Sequence, residues 1–283
     1  MCALGLQMRQ STKEDGWRVT MDKSDTDALR NAVQLLEHAS LAARLANMVG
    51  KPVELLGRRL PAGASQAIAT ATTKSLDAAL KVALLTIRSG SQECSQMLHR
   101  ALVVASGAAG GAFGILSLPL ELPVSTIIIL RSILDIARSE GENLSDPEAS
   151  LSCIETFGLG GRTETDDAAE SGYFVVRGAF AKSVTEAARF IAERSIVEEG
   201  SPVLVRLITQ IASRFGFVVS QKAAAQTIPV IGALGGAAIN YAFIDHFQSV
   251  ARGHFTVRRL ERKYGKDIVF NAYERFCQDR NAR

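Results

Sequence analysis

Two stretches of this chain carry no charge. Between Arg100 and Glu121 lie 20 such residues, ALVVASGAAGGAFGILSLPL, and between Lys222 and Asp245 lie 22, AAAQTIPVIGALGGAAINYAFI. Each is as long as the roughly 20 apolar residues that cross a bilayer as a helix. Their content weakens that reading, because many positions are Ala or Gly, Pro119 and Pro229 interrupt them, and Asn240 is polar. Gly107 and Gly111, Gly110 and Gly114, and Gly232 and Gly236 stand four apart, with Gly235 beside the last pair. That spacing lets two helices approach closely. Three readings stay open: tightly packed central helices of a soluble bundle, segments that insert into or lie on a membrane, and a partner interface. Asn240, set among small residues, is expected to make an interhelical hydrogen bond.

Composition narrows the fold class. Of 283 residues 47% are apolar and 22% charged, with a net charge of +3, which excludes wholesale disorder. Alanine fills 40 positions and aromatics only 6%, a balance that favours helix over strand. Only short pieces such as Phe174 to Val176 are ambiguous, so the fold is expected to be all-α. The spacing predicts helices from Ser24 to Gly50, Pro52 to Pro61, Ser65 to Ile87, from Gln92 into the first uncharged stretch, and onward to Gly141. Asp146-Pro147-Glu148 reads as an N-cap, N1 proline and acidic first turn. That helix is expected to reach about Phe157, followed by a solvated acidic loop over 158–171. Helices are expected again from Tyr173 to about Val197 and from Val203 to Val219. Residues 1–23 read as a mobile lead-in and 24–283 as one domain of bundle type.

The chemistry that the sequence excludes is clearer than the chemistry it offers. Cys2, Cys94, Cys153 and Cys277 are scattered, so neither a zinc pair nor a redox CxxC is expected, and reduced thiols suit the cytoplasm. The apolar run before Arg9 is barely five residues, too short for a secretory signal. GAAGGAFG and GALGGAA lack the Gly-Lys-Ser/Thr ending of a phosphate loop. No GxSxG and no histidine pair with ligand spacing occurs, so no catalytic residue, no metal and no cofactor is assigned. Nucleic acid is not an expected partner, since no basic, aromatic-interleaved motif appears.

The polar residues that stand out are Glu121, Asp245 and His246, at the edges of the uncharged stretches. Glu121 is expected to cap a helix opening after Pro123, or to pair with Arg131. A hydrolase site built from Glu121, Asp245 and His246 is the competing reading, and a soluble helical scaffold is the third. His246 and His254, eight apart, could share a helix face. From Arg252 to Arg283 nine Arg or Lys stand against four Asp or Glu, which would suit an anionic leaflet.

The run GGAFGILSLPLELPVSTIIILRSILDIARSEGENLSDPE, followed by TIPVIGALGGAAINYAFIDHFQSVARGHFTVRRLERKYG, resembles the EcsC protein family over roughly residues 50–275. The matching positions are Gly110, Gly111, Gly114, Leu122 and Pro123 in the first block and Pro229, Gly232, Gly235, Gly236 and Asn240 in the second. The resemblance implies a bacterial helical protein, from a family named for a member encoded beside the subunits of an ABC transporter. It carries over no catalytic residue. The expectation is a non-enzymatic accessory protein of the cytoplasm, peripheral to the inner membrane, with a membrane surface or membrane protein complex as partner.

Overall fold

The computed structural model describes residues 21–37, 41–49, 63–89, 118–161, 172–194, 200–226 and 232–281. Among these residues the chain is all-α, with nine helices and no strand. The segments expected as helices over 52–61 and from Gln92, and Gly107, Gly110, Gly111 and Gly114, lie outside the described residues.

α1 (Lys23–Glu37) opens one residue before Ser24, because the Asp22 carbonyl accepts from Thr26 N at 2.8 Å. Its Leu29, Ala32, Val33 and Leu36 are buried at three- and four-residue steps, the apolar stripe of an amphipathic helix. Of the helix expected to run on to Gly50, α2 covers Leu41–Val49, and residues 38–40 and Gly50 lie outside the described residues. α3 (Ala64–Ser89) buries Ile68, Ala71, Leu76, Ala79, Leu80, Ala83 and Leu84, again at helical spacing.

α4 (Leu118–Ser139) begins earlier than expected and carries Pro123 inside it. A proline five residues into a helix removes one ladder bond. Leu122, Ile129, Leu130 and Ile133 are each fully buried, and that packing carries the helix through. It ends in a Schellman turn: Gly141 has φ +80°, Glu142 N donates to Ala137 O and Gly141 N to Arg138 O, both at 3.0 Å. α5 (Pro147–Leu159) starts as the sequence indicates, the Asp146 side chain accepting from Glu148 N at 3.0 Å. Every residue from Ala149 to Leu159 is buried, and α5 packs on α3, α4 and three later helices. These are α6 (Gly172–Ala192), α7 (Pro202–Gln226) and α8 (Gly232–Tyr264). α5 is the axis of the bundle. At its end Phe157 meets Phe215 of α7 and Phe247 of α8, ring centroids 5.0 and 5.3 Å apart.

Two expectations are corrected here. Residues 158–161 are not the start of a solvated loop, because all four are buried. A Cβ on Gly158 would come within 2.6 Å of the Phe180 ring, one on Gly160 within 2.6 Å of Phe247, and one on Gly161 would overlap the Arg214 carbonyl. Among the described residues close helix crossings fall there and at Gly253, against Leu36, while the surroundings of Gly232, Gly235 and Gly236 in the opening turns of α8 lie outside what is described.

The second correction concerns the basic C-terminal segment. α8 runs unbroken to Tyr264, turns at Gly265 (φ +93°) and continues as α9 (Lys266–Asn281). Its last turns lie beside the start of α1 and the α4–α5 connection. Arg258 forks onto Glu142 at 2.8 and 3.1 Å, and Arg262 bonds the same carboxylate. Arg259 reaches Glu140 at 2.7 Å and Asp25 at 3.0 Å, and Lys263 reaches Asp25 at 2.7 Å and Asp22 at 2.9 Å. Four of the positive charges read as open to an anionic leaflet are thus paired within the fold.

Candidate functional site

In α7 the core face runs through Phe215, Val218 and Val219, and the next position of that stripe is Lys222. Helical periodicity therefore turns the ammonium inward, and Lys222 is 0% exposed. Glu121 stands in the first turn of α4, where backbone N–H groups favour a carboxylate, and its side chain is 1% exposed. Lys222 Nζ donates to Glu121 Oε1 at 2.6 Å. The ammonium also stands 4.7 Å from the centre of the Phe243 ring. Burial pushes the Lys222 ammonium below its usual pKa, while Glu121 pulls it back up. The expected role of Glu121 as cap of a helix after Pro123, or as partner of Arg131, gives way to this pair, since the helix already runs through Pro123.

Asp245 and His246 follow on α8, and the structure does not join them to Glu121. Asp245 turns outward to Arg44 of α2 at 2.7 Å. His246 is buried, and its Nε2 donates to Gly160 O at 2.9 Å, which leaves Nδ1 without a partner. Burial holds its pKa down to about 4, so the ring is neutral near pH 7. Arg214 Nε donates to Gly158 O at 3.1 Å, so α7 and α8 both close over the end of α5. Asn240 leaves its Oδ1 buried and unpartnered.

A second buried polar group lies deeper, and sequence reasoning missed it. His254 shares the inner face of α8 with His246, as their spacing allows, and its Nδ1 lies 2.8 Å from the Tyr173 hydroxyl. Arg177 forks onto Glu261 at 2.8 and 2.7 Å and reaches the same hydroxyl at 3.4 Å. Tyr273 of α9 donates to Glu37 at 2.8 Å, and Tyr173 N does so at 3.2 Å. Glu155 of α5 is fully buried, which pushes its carboxyl up to about 7 against the pull of Arg177 and Arg258. Burial pushes the His254 ring well below its usual range and the Cys153 thiol well above it. A signal for this group did exist: Tyr173, Arg177 and Glu261 fall on the apolar faces of otherwise regular helices.

Chemically, these groups hold one another. Among the described residues no cluster of three His, Cys, Asp or Glu is placed to hold a metal ion. Glu121, Asp245 and His246 bond to three different helices or loops, so no acid–base pair forms among them. Fold and site define an all-α bundle tied by buried ion pairs and close glycine crossings. The sequence model of the EcsC protein family matches residues 25–260, and the chain belongs to that family. The match takes in both partners of the Lys222–Glu121 bond and stops before Lys263 and Tyr264. No curated protein and no solved structure matches the chain.

Proposed function

We propose that this chain is a non-enzymatic accessory protein that docks on the cytoplasmic face of the bacterial inner membrane, beside a membrane complex of the ABC-transporter kind that the family resemblance implies. One observation carries the reading. Lys222 and Glu121 are the charges that border the two uncharged stretches, and their bond brings the exit of one stretch to the entry of the other. The charged borders of the two stretches therefore meet at one place in the bundle. Leu120, beside Glu121, is 81% exposed, and Tyr241, in the second stretch, is 72% exposed. Large apolar side chains held in water at such a place suit a lipid or protein surface. Attachment then rests on apolar contact, because the basic end of α8 is engaged internally.

Fractionation of a tagged, full-length protein tests this. The protein should stay with membranes through a high-salt wash and leave them in alkaline carbonate. Recovery in the soluble fraction before any wash would overturn the reading, and resistance to both washes would replace docking by insertion.

A further inference from the structure

α6 packs on α5, α7 and α1, and it reaches α8 through two polar bridges. These are Arg177 to Glu261, at 2.8 and 2.7 Å, and Tyr173 to His254, at 2.8 Å. Glu155 of α5 is 4% exposed and lies in the field of Arg177 and of Arg258. Each of those guanidiniums already has a full partner, Arg177 forking onto Glu261 and Arg258 onto Glu142. Arg262 also bonds Glu142, but at 43% exposed its charge is screened by water. Two buried cations thus face two buried carboxylates, and Glu155 makes a third. With its proton the buried charges balance; without it, one negative charge is left over where water does not reach. The other titratable neighbours are engaged or turned away. The Tyr173 hydroxyl accepts from Arg177 and so donates to His254 Nδ1, in a ring that burial keeps neutral. Glu37 of α1 accepts from Tyr273 of α9 and from Tyr173 N. On α5 itself, Cys153 bonds Ala149 O, and the exposed Glu148 opposes ionisation of Glu155. α3 turns Lys74, Asp77 and Lys81 outward. Glu121 of α4 and Lys222 of α7 hold each other, and Arg138 pairs with Asp135 at the surface of α4. Arg214 of α7 and His246 of α8 bond carbonyls at the far end of α5.

We propose that Glu155 works as a proton-operated switch: when its proton passes to water, the bare carboxylate takes Arg177 from Glu261, and the bridge from α6 to α8 opens. Arg177 is the cation that moves, for two reasons. Its field is the strongest that acts on Glu155. Its present partner, Glu261, stands in the last turn of α8, where it can swing into water, whereas Arg258 is fixed to a carboxylate that Arg262 grips as well. Glu155 titrates at about 7, so the switch turns within the physiological range. Below that pH the cluster is balanced and α6 is closed on α8. Above it α6 keeps its packing on α5 and α7 and loses its main tie to α8. The device needs no membrane and stands whether or not the chain docks on one.

Hydrogen–deuterium exchange of the full chain reads the switch, once rates are corrected for the pH dependence of the chemical step. Between pH ~6 and ~8 the protonated fraction of Glu155 falls about tenfold. Amides of residues 173–180 should therefore exchange about tenfold faster at the higher pH, while those of α3 hold steady. Glu155→Gln should keep residues 173–180 at the slow rate at both pH values. Glu261→Gln removes the competitor for Arg177, so the Glu155 carboxyl, followed by carbon-13 NMR, should titrate about one unit or more lower than in the parent. Equal exchange of residues 173–180 in the parent at both pH values would overturn the switch, as would a pH effect that survives in Glu155→Gln. Acceleration of α3 by the same factor would assign the effect to opening of the whole fold and overturn the local switch. If Glu155→Gln does not fold, an unmoved Glu155 titration in Glu261→Gln overturns it instead.

Discussion

Lys222 Nζ and Glu121 Oε1 are 2.6 Å apart across 101 residues of sequence, with neither side chain more than 1% exposed. A charge pair in such a place is held by its partner, and losing one member exposes the other to the full cost of burial. Glu121→Gln should therefore cost about 3–5 kcal/mol, against the ~1 kcal/mol of a lost cap. Urea denaturation measures it. The double variant Glu121→Leu, Lys222→Leu should be closer to the parent than either single change, because an apolar pair carries no desolvation cost. A Glu121→Gln protein within about 1 kcal/mol of the parent would show that the bond does not hold α4 to α7.

The glycines make opposite predictions according to their surroundings. Gly161→Ala should destabilise by about 1–3 kcal/mol or more, because its methyl group would meet the Arg214 backbone, which cannot rotate away. Gly178→Ala, in mid-α6 with nothing within 4 Å of the new methyl, should stabilise by about 0.5–1 kcal/mol. Thermal melting of the two variants side by side decides the matter, and a gain from Gly161→Ala would disprove the close crossing.

Glu155 gives the stability a pH dependence of defined sign. Its carboxyl titrates at about 7 in the fold against 4.5 for an unperturbed group, so the folded state holds a proton that the unfolded chain has released. The stability this contributes is complete below pH ~4.5 and lost as pH rises through about 7, on the order of 3 kcal/mol in all. His246 acts the other way, its contribution present above pH ~6.5 and lost as pH falls through about 4. Glu155→Gln should accordingly gain on the parent between pH ~5 and ~8. Parallel melting curves across that range would remove the argument.

Asp25 is held down to about 2, first by its bond to Lys263 and further by Arg259 and Tyr264, against the cost of burial. Asp25→Asn should loosen the join between α1 and α8 by about 1 kcal/mol at low salt. The loss should shrink in ~1 M salt, where screening reaches about 3 Å. An equal loss at both salt concentrations would mean that the contact is one of packing.

Most helices were legible in the sequence because alanine and leucine repeat at steps of three and four, as in α1 and α3. Caps were legible where chemistry is local: Asp146 before Pro147, and Gly141 after α4. Proline misled at Pro123, since burial of Leu122 and Ile129 on either side outweighs one missing ladder bond. Gly158 to Gly161 misled because a glycine in a turn and a glycine under a phenylalanine look alike until the partner helix is placed. Glu121 was singled out for its apolar surroundings, and Lys222 was passed over as a mere boundary. A pairing over 101 residues is a property of the bundle and has no local signature.

α8 is 33 residues long, about 50 Å of continuous rod. Its first turns belong to the uncharged stretch, and its last turns grip the beginning of α1 and the α4–α5 connection. A rod of that length is also a lever. Tilting its glycine-rich end by ~10° about the far clasp would sweep that end through about 9 Å, and a pull applied there would be felt at Arg259 and Lys263 without any intermediate joint.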